Sequence, residues 1–531
     1  MMNFGLRSRG GKAGRTVLAT SLLVTAVFWG WRQVGTSLEA LEIYTRDRMV
    51  RLNADGPPDP RLLVVGVTEA DIQRYRQPLP DSVVAEALGR IAEAQPRAVG
   101  LDIIRDLPQG EGLEDLLQVL QQHPQIVVVC KVGTKAEPGY PPPPGLPKKQ
   151  WGFSNLPPDP GGVVRRGLLG MMPPALPDAA ENPCQNPTEP MFSLGFQLAR
   201  QYLAEAGIPL TFTAADEFRL GEVVLPPLGP SDGGYQRASD GGYQILIQYR
   251  SGDRIAEQVT LSQLLEGQVS ADQLRDRIVL VGYVAESAKD LFSTPYSGGQ
   301  NHNRPMPGVV IHAQIVSQLL RTVLDGEPVP WFWPSGAELI WVWGWALVGG
   351  AIASALRHPL ALGAAIGVGI GVCAGIGYLA FLQGGWVLVA TPILALGLTA
   401  AGVILVDRNG QAIAENVQKV KKIVLRLNVD PEEARREADK LLEGHKDLIN
   451  VSQRSKKGAK KGTPKRRSET LLSPDLPLKD NAPDRQSAPG DDAAAPAPET
   501  DPEIDPETDD LADFLNQIQM PPDQPPDQLQ G

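Results

Sequence analysis

Cysteine and histidine are scarce in this chain, which has 3 cysteines and 5 histidines among its 531 residues. No CxxC pair and no cluster of cysteine with histidine occurs, which argues against a structural zinc site. Cys373 lies in a long apolar run, Cys130 in a short strand-like apolar segment, and Cys184 in the loop NPCQNP. The sequence does not decide whether Cys130 and Cys184 pair. Because Cys130 would be buried in a strand and Cys184 lies in a loop, we favour free thiols over a disulfide.

Motifs of signalling enzymes are also missing. The segment after residue 406 contains neither a phosphate-cradling glycine loop nor the HRD-like and DFG-like motifs of a protein kinase. The glycine-rich stretch GLRSRGGK near the N-terminus lacks the spacing of a P-loop. We therefore expect no catalytic residues, no cofactor and no enzymatic output from this chain.

Long apolar runs, by contrast, are present and predict four membrane-spanning helices. They occupy residues 16–31, 339–356, 360–382 and 386–406. The last three carry no charge and, at ~1.5 Å per residue, are long enough to cross a bilayer core. The first is shorter and has a basic front, but no clean small-x-small cleavage site follows it, so we expect an uncleaved signal anchor. No charged residue lies in the middle of a run, which argues against a transporter.

Basic residues predict how the chain crosses the membrane. The formal net charge is −11, but acidic residues crowd the C-terminal tail, whereas arginine and lysine flank the apolar runs. The basic residues within 1–15 should remain in the cytoplasm. Arg357 between the second and third runs, and Arg408 after the fourth, then also lie inside. The segment 37–333 lies outside, so we expect a multi-pass protein of the plasma or inner membrane with both termini in the cytoplasm.

The segment 37–333 alternates predicted strands with predicted helices. The apolar runs RLLVVGV, AVGLDII, IVVVC and RIVLVGY are typical of buried strands, and YQILIQYR alternates like a further strand. The stretches PDSVVAEALGRIAEAQP, EGLEDLLQVLQQHP and SLGFQLARQYLAEAG have the apolar spacing of helices. This alternation predicts an α/β extracytoplasmic domain that has a mostly parallel sheet with helices on both faces.

Polar residues follow the predicted strands, at the place where parallel α/β sheets bind ligands. If these strands are neighbours, the side chains converge on one crevice. We therefore predict a site for a polar ligand or a cation; ordinary loop chemistry, helix capping and buried ion pairing are the alternative. The candidate ligand-binding residues are Glu69, Asp71, Asp102, Arg105, Glu286, Lys289, Asp290 and His312.

His312 and a pair of arginines each allow two interpretations. His312 lies on the apolar face of the predicted helix MPGVVIHAQIVSQLL, where we favour a packed strut between core and crevice over a direct ligand contact. Arg165 and Arg166 follow a glycine turn and would either clamp an anion or pair with carboxylates across the fold. We favour the pairing for these two arginines.

Several stretches, in this order, resemble a known family: VVGVTEADI, PRAVGLDIIRDLP, DPGGVVRRGLL, IVLVGYVAESAKDLFSTPYS and MPGVVIHAQIVSQLL. Together with the tryptophan-rich start of three closing spans, they resemble the CHASE domain of the second type over residues 37–406. The resemblance implies an extracytoplasmic sensory module of bacterial receptors, set between one leading span and three trailing spans. Such receptors usually end in a histidine kinase, a nucleotide cyclase or a Ser/Thr kinase. No ligand is firmly assigned to the family, so the resemblance transfers no binding residues.

Residues 407–450 follow the fourth apolar run and predict juxtamembrane helices. The apolar residues there that step by four and three positions are Ile413, Val417, Val420, Val424 and Leu427. This spacing is typical of a short coiled coil between two copies or, alternatively, of one amphipathic helix on the bilayer surface.

Residues 451–531 are rich in proline, aspartate and alanine and should form a disordered tail. We expect its basic run, 454–467, to contact anionic lipid head groups. The run has no interleaved aromatic residues, so we expect no nucleic-acid partner. Residues 509–520 predict a short helix that docks into the groove of a partner. Its docking residues are Leu511, Phe514, Leu515 and Ile518.

Together, these features and the resemblance predict an integral membrane sensory protein that acts through partners. The partners would be the lipid bilayer, a second copy of the chain, an extracytoplasmic ligand and a cytoplasmic signalling protein. One alternative is a metal-assisted hydrolase that uses Asp71, Asp102, Asp290 and His312. It requires these side chains within metal reach of one another. The other alternative is a passive membrane scaffold with a degenerate sensor domain.

Overall fold

The computed structural model describes residues 4–34, 37–53, 56–176, 182–239, 241–252, 254–297 and 305–426. The chain divides into two units, residues 1–410 and 411–531. In the second unit, the described residues are helical as far as Arg426. The predicted basic run at 454–467 and the predicted docking helix at 509–520 lie outside the described residues.

Strands and short helices alternate through the middle of the chain, between long apolar helices. The helices are α1 (Phe4–Val34), α2 (Ser37–Leu52), α3 (Glu69–Tyr75), α4 (Asp81–Glu93), α5 (Leu113–Gln122), α6 (Leu194–Glu205), α7 (Leu261–Leu265), α8 (Ala271–Leu274), α9 (Gly308–Leu324), α10 (Ser335–Ala355), α11 (Pro359–Leu382) and α12 (Ala390–Arg426). The strands are β1 (Leu62–Val67), β2 (Ala98–Asp102), β3 (Ile126–Cys130), β4 (Trp151–Phe153), β5 (Arg166–Met171), β6 (Met191–Phe192), β7 (Leu210–Phe212), β8 (Phe218–Leu220), β9 (Val223–Leu225), β10 (Tyr243–Leu246), β11 (Glu257–Thr260), β12 (Ile278–Tyr283), β13 (Leu291–Phe292), β14 (Met306–Pro307), β15 (Trp331–Phe332) and β16 (Gly385–Trp386).

A six-stranded parallel sheet forms the centre of the domain, in the order β11-β1-β12-β2-β3-β4. The late strand β12 lies between β1 and β2, so that Ile278 pairs with Leu62 on one side and with Ala98 on the other. Every residue of β1 and β3 is buried. Parallel strands that are covered on both faces have such continuous apolar runs. The predicted α/β domain with a mostly parallel sheet is confirmed.

Helices pack on both faces of this sheet, because alternate residues of a strand point to opposite faces. On one face, Leu62 and Val64 of β1 form a core with residues of α6 and α9. On the other face, Leu63 and Val65 of the same strand pack with residues of α4 and α5. These helices carry apolar residues at helical spacing because each packs one of its faces against the sheet.

Smaller antiparallel sheets extend the domain, in the orders β10-β5-β6 and β7-β8-β9. The predicted strand YQILIQYR begins as β10 and then runs along α9. There, the Gln314 side chain bonds both the main-chain N–H and the carbonyl of Arg250, at 3.0 and 2.7 Å. One helical turn later, Gln318 accepts from the main-chain N–H of Gln248 at 2.9 Å. The two buried glutamines thus fix this segment to α9.

Cys130 and Cys184 form a disulfide, so the prediction of two free thiols is wrong. Cys130 ends β3 and Cys184 lies in a short 3-10 turn, and both residues are buried. The turn folds back over the strand end, where the Gln185 side chain accepts from the main-chain N–H of Gly133 at 2.7 Å. This places the two cysteine Cα atoms 6.5 Å apart, although 54 positions separate them in the sequence. Cys373 is free and buried.

Helices long and apolar enough to cross a membrane, among the described residues, are Lys12–Val34, Ser335–Ala355, Pro359–Leu382 and Ala390–Asp407. The last one begins at Ala390 rather than at residue 386. The reason is that Trp386 belongs to β16, which pairs in parallel with β15. The predicted coiled-coil residues from Ile413 to Val424 lie in α12, whereas Leu427 lies outside the described residues.

Candidate functional site

The carboxyl ends of β1, β12 and β2 lie side by side, because these strands are neighbours in the sheet. Asp102 is the last residue of β2. Asp290, before β13, and His312, in α9, reach the same edge, where Asp290 interacts electrostatically with both Asp102 and His312. We refer to Asp102, Asp290 and His312 as the crevice cluster. Parallel α/β sheets commonly bind ligands at this edge.

The imidazole of His312 faces Asp102 across the crevice, with 3.9 Å between Nε2 and Oδ1. The side chain of Asp102 is 7% exposed, and His312 is 1% exposed. Helix α9 approaches β12 closely because Gly282 has no side chain. A Cβ at Gly282 would lie 2.6 Å from the Cβ of Val309. This close approach holds the second turn of α9, and with it His312, over the strand ends.

Asp290 lies against the first residue of α9. The main-chain N–H of Gly308 donates to the main-chain carbonyl of Asp290 at 3.1 Å. A Cβ at Gly308 would lie 2.6 Å from Oδ2 of Asp290, so the missing side chain makes room for the carboxylate. The positive end of the helix dipole faces this carboxylate, which favours its ionised form.

Burial shifts the pKa of every member of the crevice cluster. It raises the pKa of Asp102 to about 7. The pKa of Asp290 is also raised to about 7, first by burial and then by the charge of Asp102. Burial lowers the pKa of His312 to about 4, against the opposing effects of Asp290 and the Ser154 main chain. Near neutral pH, the cluster therefore holds a neutral imidazole and two carboxyl groups that are partly ionised.

Two buried atoms of the crevice cluster have no hydrogen-bond partner within the described part of the chain. They are Oδ2 of Asp102 and Nδ1 of His312. An unpaired buried polar group costs about 1–3 kcal/mol. A bound polar molecule, or a change in protonation that reorients these groups, would relieve this cost. The crevice is therefore chemically suited to respond to a small polar ligand or to protons.

Asp71 and Glu69, which were predicted to join the crevice, are engaged in local structure. Oδ2 of Asp71 accepts from the main chain and hydroxyl of Thr68, which caps α3. Oδ1 of Asp71 accepts from the main chain and hydroxyl of Ser262. The carboxylate of Glu69 accepts from the main chain and hydroxyl of Ser287, both at 2.8 Å. These carboxylates therefore connect loops to one another.

The remaining predicted site residues lie apart from the crevice cluster. Arg105 is buried on the α4 side, where it donates to the carbonyl of Leu79 at 2.7 Å and to Asp81 at 3.3 Å. Glu286 and Lys289 are exposed on the loop after β12. Asp102, Asp290 and His312 are thus the predicted residues that the fold brings together.

The hydrolase alternative required Asp71 to join the crevice cluster around a metal ion. Both carboxylate oxygens of Asp71 instead accept hydrogen bonds from Thr68 and Ser262. Within the described ranges, no group of three or more His, Cys, Asp or Glu side chains is arranged to hold a metal ion. The four residues named for the hydrolase are therefore not gathered into one metal site within the described part of the chain.

Arg165 and Arg166 form buried ion pairs, the interpretation favoured from the sequence. Arg165 donates to both carboxylate oxygens of Asp47, at 3.0 and 2.8 Å, and to Asp159 at 3.0 Å. Arg166 donates to the other oxygen of Asp159 at 2.7 Å. The hydroxyl of Tyr235 also donates to Asp159, at 2.8 Å. All five side chains are buried, and we refer to them as the arginine network.

The role of α2 was missed at the level of sequence. Asp47 of α2 joins the arginine network, and the buried carboxylate of Glu42 accepts from three consecutive main-chain N–H groups at 389–391. The distances are 2.9, 3.2 and 2.7 Å, so Glu42 caps the start of α12. The sequence feature that could have indicated this role is the pair Glu42 and Arg46, which lie one turn apart on a helix that directly follows a membrane span.

We predict that Asp102→Asn makes stability less dependent on pH between about pH 4 and about pH 7. The folded carboxyl has its pKa raised to about 7, so it binds its proton more tightly than the unfolded one. The protonated carboxyl therefore contributes to stability at low pH, and this contribution is lost as the pH rises through this window. Asparagine keeps the shape of the side chain but has no proton to lose. The variant therefore avoids a loss of stability of up to about 1.4 kcal/mol for each unit of pKa shift. His312, with a lowered pKa, contributes the opposite slope.

Thermal unfolding of the full-length protein at about pH 5 and about pH 8 measures this effect. The gain in stability of Asp102→Asn over the wild type should be larger at the higher pH. Glu286→Gln is the matched control, because Glu286 is exposed on a loop at the same edge of the sheet. The same difference between Asp102→Asn and wild type at both pH values would contradict the prediction.

The sequence model of one known family matches most of the region described above. The sequence model of the CHASE2 domain matches residues 21–351. The match begins within α1, includes the α/β domain with its crevice cluster and arginine network, and ends in α10. No curated protein and no solved structure gives a significant match. The chain belongs to the CHASE2 family of sensory extracellular domains.

Proposed function

We propose that this chain is a membrane receptor whose α/β domain lies outside the cell membrane and senses a stimulus in its crevice. The response passes through the membrane spans to a cytoplasmic partner protein, and the chain supplies no catalytic output of its own. The observation that carries this proposal is the double attachment of α2. Asp47 binds the domain through Arg165, and Glu42 caps the start of α12.

Two features support the placement of the domain outside the membrane. The first is the Cys130–Cys184 disulfide, because disulfides form and persist in oxidising compartments outside the cytoplasm. The second is the excess of basic residues before the first span and after the fourth, which favours cytoplasmic termini. Both features support the proposed topology, in which a multi-pass protein of the plasma or inner membrane has its α/β domain outside and its termini in the cytoplasm.

Contacts of α2 with several spans support its role as the relay. Leu38 of α2 shares an apolar cluster with Val342 of α10 and with Leu388, just before α12. An ion pair of 2.9 Å between Arg32 and Glu338 joins α1 to α10. A shift of α2 would therefore change the relative positions of three spans.

A continuous packed path supports the coupling of the crevice to α2. A charge change in the crevice cluster acts on the first turns of α9, whose Gln314 and Gln318 hold the segment after β10. In that segment, the main-chain N–H of Ile247 donates to the carbonyl of Arg165 at 2.9 Å. Arg165 in turn binds Asp47 of α2. Contiguous packing of this kind can carry a coupling energy between distant sites.

We predict that Glu42→Gln changes the capture of a cytoplasmic partner by about 5-fold or more, the scale of typical coupling energies. Glutamine has the same size but keeps only one of the two carboxylate oxygens that accept from the N–H groups at 389–391, so the link from α2 to α12 weakens. Cross-linking of the full-length chain in cells, followed by affinity purification, measures the capture. Arg48→Gln removes an exposed charge from the same helix and should leave capture unchanged. Equal capture by wild type and Glu42→Gln would count against the relay.

We also propose that the receptor is a homodimer, because the described residues leave one face of α11 uncovered. The positions where an added Cβ would meet nothing within 4 Å are Gly363, Gly367, Gly371 and Gly375. Small residues at four-residue spacing allow a second helix to approach closely within a membrane. A second copy of α11 is the partner proposed for this face.

Gly371→Cys, made in a Cys373→Ser background that keeps the domain disulfide, should form an intermolecular cross-link in membranes under mild oxidation. Gly369→Cys is the matched control, because a Cβ there meets Leu396 of the same chain at 3.0 Å. Electrophoresis without reducing agent measures the dimer. A Gly371→Cys protein that remains monomeric, or that cross-links no better than the control, would exclude this dimer.

A further inference from the structure

A cavity of about 390 Å³ lies between the α/β domain, α2, the end of α11 and β16. We refer to it as the junction cavity. Its polar wall includes Arg46, Tyr249, Arg250 and Arg321. Its apolar wall includes Phe381, Leu382 and Trp386. The volume is in the range of small-molecule sites, which combine an apolar lining with a few placed polar groups.

Three buried donors from the polar wall have no hydrogen-bond partner among the residues that the structure describes. They are Nη1 of Arg46, Nη2 of Arg321 and the hydroxyl of Tyr249. The three residues are 4%, 6% and 4% exposed, respectively. Each unpaired buried donor costs about 1–3 kcal/mol, and more for a charged group. The residues that carry these three donors all line the junction cavity.

The charge of the polar wall is positive. Arg250 and Arg321 share the carboxylate of Glu327, which lies 3.2 Å from Arg250. Arg46 makes no ion pair within the described ranges. Its Nη2 donates to the carbonyl of Ile247 at 3.3 Å, and its guanidinium lies 5.3 Å from the ring centre of Trp386. Because no carboxylate among the described residues lies within ion-pair distance of Arg46, an anion in the cavity would stabilise its charge.

We propose that the junction cavity binds a phosphate group, with Arg46 as its main anchor. The planar guanidinium matches the oxygen atoms of phosphate, and the Tyr249 hydroxyl adds a neutral donor. A phospholipid head group and a soluble phosphate share this chemistry. The apolar wall at the end of α11 favours the lipid, because an acyl chain would continue along that span from Phe381 and Leu382. This inference goes beyond the sensory function and does not rest on it.

The test uses purified full-length protein and compares ligand-induced shifts in the unfolding temperature. Nanodiscs of phosphatidylcholine alone are compared with nanodiscs that also contain phosphatidylglycerol, and detergent samples are compared with and without inorganic phosphate. Phosphatidylglycerol should raise the unfolding temperature of the wild type. Arg46→Gln should lose this shift and bind phosphatidylglycerol about 10-fold more weakly, because a charge-assisted hydrogen bond is lost.

Two further variants make the result specific to the cavity. Arg48→Gln removes an exposed cation from the same helix, so it should keep the full shift and controls for general attraction of anionic lipid. Leu382→Asp tests the cavity without changing a buried arginine, because Leu382 is 43% exposed in the apolar wall. The new carboxylate should repel phosphate and abolish the shift.

Each outcome decides a part of the proposal. A phosphatidylglycerol shift that Arg46→Gln and Leu382→Asp lose and Arg48→Gln keeps supports a phosphate site with lipid as its source. A full shift with inorganic phosphate in detergent, lost in Arg46→Gln, supports the phosphate site and overturns the lipid source. Equal shifts in all four proteins, or no shift in any, overturn the proposal. Partner capture is not measured, so failure here is distinct from failure of the relay.

Discussion

The buried arginine network is the interaction on which the rest of this structure depends. Arg165 lies between Asp47 of α2 and Asp159 of the α/β domain, and it binds both oxygens of Asp47. Removal of one partner from a buried ion pair typically costs about 3–5 kcal/mol, because an uncompensated charge remains. Apolar packing alone would not fix the position of α2 against the domain, whereas the bidentate hydrogen bond between Arg165 and Asp47 does. That position brings Glu42 to the first turn of α12.

Helix α9 connects two chemically different ends of the domain. Its second turn carries His312 beside Asp102, and its last turn carries Arg321 in the junction cavity. Its 17 residues span about 25 Å at about 1.5 Å per residue. Between these ends, Gln314 and Gln318 hold the segment that leads to the arginine network. A proton or ligand in the crevice and a phosphate in the junction cavity would therefore act on the same rigid element.

The parallel sheet and the crevice cluster were predictable because their causes are local in the sequence. Strands buried on both faces need continuous apolar runs, and the carboxyl ends of neighbouring parallel strands meet at one edge. The role of Asp71 in connecting loops was not predicted, because its partner Ser262 is 191 positions away. Asp47 and Arg165 are 118 positions apart, and no local pattern marks them as partners. The disulfide was hidden for the same reason, because a fold-back of the chain creates it.

The most direct test of the central claim is hydrogen exchange at the main-chain amides of 389–391. The claim is that the arginine network sets the position of α2 and, through Glu42, the start of α12. In full-length protein in nanodiscs, Asp47→Asn removes the charge that Arg165 binds. We expect exchange at these amides to become about 10-fold faster, with β1 unchanged. Unchanged exchange at 389–391, with loosening confined to the surroundings of Arg165, would contradict the claim.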